Sequence, residues 1–261
     1  MLNYLCQNTI GRKTRMKTEL IKAIENEFHA TYYDISTLNF KNQENTLRYI
    51  KNVISTLSKP VMFFIKPDLT ANMRSLSLDE ICYVILMKRK PEISREFTEI
   101  AHEFGHLYYA EKRYPQATIS KYSKADIGIA TILTNTIMDP MINKDLSDVG
   151  LDIVDYMQDG IKIQAPNLMF GYPEYNKMNK YQKHFVKCLL IEKIQEWSII
   201  GNAIPNTFVE IAEKRHKRLL AESRNFVKKI KATGTNTPDK CRKLLVMLAK
   251  ENNMEDEILI I

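Results

Sequence analysis

The 261-residue chain predicts an α+β fold, with a small sheet packed on one long helix and a mainly helical C-terminal part. Three observations carry that prediction. Two compact apolar runs, at 61–65 and 81–87, have the length and bounding prolines of buried strands. An amphipathic stretch follows directly, from Ser94 to Lys112. Beyond about residue 177 the apolar spacing is helical in three successive stretches.

Taken in order, residues 1–14 read as loosely structured, with a basic cluster at Arg12, Lys13 and Arg15. Met16 to Phe28 reads as a helix and Tyr32 to Ile35 as a short strand. Residues 42–57 form a second helix with Leu47, Ile50, Ile54 and Leu57 in register, stopped by Pro60. The two apolar strands come next, and Lys88-Arg89-Lys90-Pro91 leads into a helix over 94–112. A loop over 113–123 precedes a helix from Asp126 to Leu146. Ile127, Ala130, Leu133, Ile137, Met138 and Met141 share its apolar side, with Asn135, Asp139 and Asn143 roughly opposite. Pro140 is expected to kink or end this helix. Residues 152–175 contain Gly160, Pro166, Gly171 and Pro173 and read as irregular, a boundary or a loop over a site. Helices over 177–200, 208–231 and 240–251 complete the chain. The expected organisation is a core over 1–165 and a helical region over 166–261.

The helix over 94–112 carries the chemistry. Its apolar stripe is Ile93, Phe97, Ile100, Phe104 and Leu107. From roughly the other side project His102 and His106, within Ala101-His102-Glu103-Phe104-Gly105-His106-Leu107. Histidines four apart stand one turn above each other and can share one Zn²⁺ ion. Glu103 sits one residue round, where a carboxylate takes the proton of a metal-bound water without being a ligand. A catalytic zinc ion usually has three protein ligands. Asp139 is the expected third, with Asp126, Asp148, Glu174 and His184 as the other possibilities. The expected reaction is peptide-bond hydrolysis, with a peptide or protein as substrate.

These two motifs, His102-Glu103-x-x-His106 and Asn135-x-x-x-Asp139-x-x-Ile142-Asn143, resemble the metallopeptidase domain that often accompanies von Willebrand A-like domains in bacteria. The resemblance covers about residues 60–150. It implies a zincin-like fold, zinc on His102, His106 and Asp139, and Glu103 as catalytic base. No further histidine follows shortly after His106, and no Asp-x-Ser-x-Ser sequence is present. Ile100 to His106 is also similar to the repressor-cleaving zinc peptidases of phage and mobile elements.

Tyr172, Tyr175 and His184 are candidates to donate to a developing oxyanion. His184 and Cys188 stand at i, i+4 but read as core, and His29 and His216 as structural or exposed. Lys214-Arg215-His216-Lys217-Arg218, with Lys228, Lys229 and Lys231, makes a basic helix. It supports an alternative reading: a catalytically silent zincin-like protein that contacts nucleic acid or an acidic protein. The net charge of +7 permits such a partner without demanding one. Cys6, Cys82, Cys188 and Cys241 form no C-x-x-C pair and read as buried thiols of a reducing compartment. No apolar run reaches the roughly 18 residues of a membrane span. Met1 to Gln7 lacks a signal-peptide pattern, so the cytoplasm is the expected location.

Overall fold

The computed structural model describes residues 12–40, 43–78 and 80–261. It is an α+β structure in two compact units, the first ending at Glu111 and the second starting at Lys112. Most of the loose stretch expected over 1–14, and Cys6 with it, lies outside the described residues.

In the first unit α1 (Arg12–Phe28) precedes β1 (Thr31–Tyr33), α2 (Glu44–Ile54), β2 (Val61–Ile65), β3 (Met73–Leu78), β4 (Cys82–Met87) and α3 (Ser94–Glu111). The strands form one mixed sheet in the order β1-β2-β4-β3. β2 and β4 run parallel with Phe63 opposite Ile85, and both outer pairings are antiparallel. Every residue of β4 is buried. That is why it reads as a continuous apolar run and not as an alternation.

Met62, Phe64, Val84 and Leu86 cluster with Ile24 of α1 on one face of the sheet. From the other face Phe63 meets Phe104 of α3 at 6.0 Å between ring centroids. Burying a side chain such as Phe64 or Phe104 contributes about 2–3 kcal/mol. The sheet is thus covered on both faces, and one of the covering elements is the histidine helix. β3 was not expected, because Met73-Arg74-Ser75-Leu76-Ser77-Leu78 is half polar. Its pairing with β4 supplies the order that its own composition lacks.

The second unit holds β5 (Ala117–Ile119), α4 (Ile127–Asp148), α5 (Val154–Pro166), α6 (Lys180–Ile199), α7 (Asn206–Thr233), α8 (Pro238–Glu251) and β6 (Ile258–Ile260). α6 packs on both α4 and α7, and α8 on α4 and α7. Leu133, Ile137, Leu190, Phe226 and Leu248 are fully buried among them. β5 and β6 pair antiparallel, although residues 113–123 read as loop. Residues 152–175 are also more ordered than expected: α5 runs to Pro166 and continues as a π-turn over Asn167–Gly171. Ile127, assigned to the apolar side of α4, is about half exposed. Among the described residues no helix is long and apolar enough to cross a membrane.

Pro140 does not end α4, which runs on to Asp148. Proline has no N–H, so the carbonyl of Thr136, one turn earlier, loses its usual helical donor. The Gln195 side chain of α6 takes over that role, donating Nε2 to Thr136 O at 2.8 Å. Because Gln195 is buried, the repair is private to the helix contact. Gln195→Met is expected to lower stability by about 1–3 kcal/mol, read by urea denaturation, since it strands a buried carbonyl.

Candidate metal centre

α3 is held at both ends. Near its start Glu96 turns back to accept N–H bonds from Glu92 (2.7 Å) and Ile93 (3.2 Å) and a bond from Arg89 (2.5 Å). Burial would raise the Glu96 pKa, but these donors prevail and hold it below the ordinary range. The arrangement is the returning half of a capping box. At the far end Glu111 Oε2 accepts from Tyr83 Oη (2.6 Å) and from Ser58 N and Oγ. Midway, Asn72 donates to Glu99 at 2.9 Å. With three anchors and an apolar side on the sheet, the helix has little freedom to rotate about its axis.

This fixes the imidazoles. The His102 and His106 ring centroids are 4.9 Å apart, with the planes 76° from each other. Two imidazoles whose nitrogens each lie about 2.1 Å from one tetrahedral ion have centroids roughly 5 Å apart. The pair therefore fits a shared zinc ion. His102 is only 4% exposed, while His106 and Glu103 are partly exposed.

Asp139 lies in the second unit, partly exposed, on the polar side of α4. One of its oxygens lies within 4.8 Å of an oxygen of Glu192 and of Glu196, both on α6. Lys193 Nζ stands between the glutamates, 2.5 Å from Glu192 Oε1 and 2.8 Å from Glu196 Oε2. Burial pushes the Glu192 carboxyl up; Lys193 draws it back, and Asp139 and Glu196 push it further. Burial alone would lower the Lys193 pKa, but the two glutamates raise it well above the ordinary value. Asn143 Nδ2 donates to Glu196 Oε1 at 2.8 Å. Sequence reading missed these three α6 residues. The signal was available: they are the charged positions in a stretch, Cys188 to Trp197, that is otherwise apolar apart from Gln195.

The other candidate ligands have structural work. Asp126 caps α4 by accepting from Gly128 N at 2.7 Å. Asp148 is bonded to Lys144 one turn earlier, and Glu174 is exposed at the start of a short 3-10 turn. His184 is 1% exposed. Asn252 Nδ2 donates to its Nδ1 at 2.9 Å, which leaves Nε2 to donate to Ile129 O at 3.1 Å. His184 and Cys188 are therefore core, as expected. The oxyanion role proposed for His184 does not suit a ring with both nitrogens bonded inside the unit.

Tyr172 stacks on Phe185 at 6.0 Å, and Lys183 and Arg218 both lie against the Tyr175 ring. His216 is buried, donates to Leu168 O at 2.9 Å, and breaks the regular geometry of α7 at φ −135°. In the same helix Arg218 is bound to Glu222, Lys229 to Glu251 and Arg215 to the carbonyl of Tyr172. Cys82, Cys188 and Cys241 are buried and free.

Compared with family models, with curated proteins and with solved structures, the chain matches none.

Burial lowers the His184 pKa to about 4, against an ordinary value of 6.5. The unfolded chain therefore takes a proton between those values that the folded chain refuses. Stability is fully present above about pH 6.5 and is lost as pH falls towards 4, by about 3 kcal/mol from this ring. His184→Gln is expected to flatten that part of the pH dependence, measured by urea denaturation at several pH values.

Proposed function

We propose that this chain is a zinc-dependent metallopeptidase of zincin-like fold, in which His102, His106 and Asp139 hold the metal and Glu103 is the catalytic base. The observation that carries this reading is the pair of imidazoles at a separation suited to one ion, on a helix too firmly anchored to turn them apart. Two nitrogens and a carboxylate oxygen are a donor set that suits zinc and leaves a coordination position for chemistry.

Zinc held by these residues would supply the polarisation of a scissile carbonyl and the acidification of water. Glu103, next to His102 and partly exposed, takes the proton of the attacking water and returns it to the leaving amine. His102 is held rigidly by its burial. Asp139 would add one negative charge to the donor set, which would leave a bound metal less electron-poor than three imidazoles would. The substrate is a peptide or protein. A silent scaffold acting through the basic residues of α7 has less support, because Arg215, Arg218 and Lys229 are already engaged within the chain.

Glu103→Gln is expected to keep its zinc, measured by atomic emission, while hydrolysis of a peptide library falls by about 10²–10⁴-fold. Hydrolysis at the original rate in that variant removes Glu103 from the mechanism. His102→Ala and His106→Ala are each expected to lose the metal. Undiminished zinc in the variant lacking both rings overturns the assignment.

A further inference from the structure

The stretch of α6 that faces α4 carries three charges out of water. The Glu192, Lys193 and Glu196 side chains are 6%, 11% and 3% exposed. Lys193 is bonded to both glutamates, Asn143 grips the second oxygen of Glu196, and Asp139 is their near neighbour on α4. Each of the three carboxylates is an oxygen donor chemically able to bind zinc. Something must decide which of them does.

We propose that Lys193 is the positioning residue that makes this choice: its ammonium is the resident counter-ion of Glu192 and Glu196, keeps both from the metal, and leaves Asp139 as the carboxylate that serves it. The inference rests on the zinc reading above. Three carboxyl groups this close, two of them buried, share negative charge that a positive charge among them relieves. A tethered ammonium meets that need permanently and does not exchange with ions in solution. Asn143 adds the restraint that a point charge cannot supply, since its amide fixes the orientation of Glu196. Without Lys193 the glutamate pair becomes a second oxygen-donor group that competes for divalent cations.

The test uses the full chain, with zinc affinity measured by chelator competition and thermal unfolding followed with and without Ca²⁺. Lys193→Met is expected to bind zinc at least about tenfold more weakly than the parent, the scale usual for a residue that orients a ligand. It is also expected to gain a Ca²⁺-dependent rise in Tm. The triple variant Glu192→Gln, Lys193→Met, Glu196→Gln removes the competition along with the counter-ion. It is expected to recover zinc affinity and lose the Ca²⁺ response. Parental zinc affinity in Lys193→Met, or a defect that the triple variant does not rescue, overturns the proposal.

If Lys193→Met does not fold, Glu192→Gln with Glu196→Gln decides instead. It frees the ammonium to turn to Asp139 and is expected to weaken zinc about tenfold; unchanged affinity overturns the proposal. A parent chain that binds no zinc overturns the zinc reading and this inference together. A parent that binds zinc beside an indifferent Lys193→Met overturns this inference alone.

Discussion

The contact between α4 and α6 depends on pairing polar groups that packing has removed from water. Gln195 reaches the Thr136 carbonyl, Asn143 holds Glu196, and Lys193 joins Glu192 to Glu196. Apolar packing alone tolerates small slips of one helix along another, because Leu133 or Ile137 loses little by moving to a similar neighbour. Directed bonds do not. Removing one partner of a buried ion pair costs about 3–5 kcal/mol, so a shifted register that broke these pairs would be strongly disfavoured. One register then survives, and it determines where Asp139 stands.

The first unit reaches the same end by other means. The imidazoles of His102 and His106 are aimed by a helix whose apolar side is fixed to the sheet through Phe104 and whose two ends are tied by Glu96 and Glu111. Both acids work as acceptors of several N–H and O–H groups, which suits carboxylates at the margins of a helix. The pair of rings inherits its geometry from those distant anchors, together with the turn of the helix itself.

The parts legible in the sequence were those set by short-range periodicity. The apolar runs became β2 and β4, and the helical spacing after residue 177 became α6, α7 and α8, with ends within a few residues of expectation. The i, i+4 spacing of the histidines translated directly into adjacent rings. What was not legible depended on distant partners. β3, β5 and β6 are short and lean on pairing for their order. Gly160 and Pro166 suggested an irregular segment, yet α5 accommodates the glycine inside and the proline at its last residue. The α6 charges Glu192, Lys193 and Glu196 are interior because α6 packs against α4, a partner distant in sequence.

Pro140 and Gln195 illustrate how a defect in one segment can be mended from another. The proline removes a rung of the α4 ladder, and an amide from a different helix replaces it. Neither residue has its present worth without the other. An ordinary amino acid at 140 would restore the rung and leave the amide redundant; an apolar residue at 195 would make the proline harmful. Among descendants of this chain, the two sites should drift as a couple, and a lineage that abandons one should soon abandon its mate.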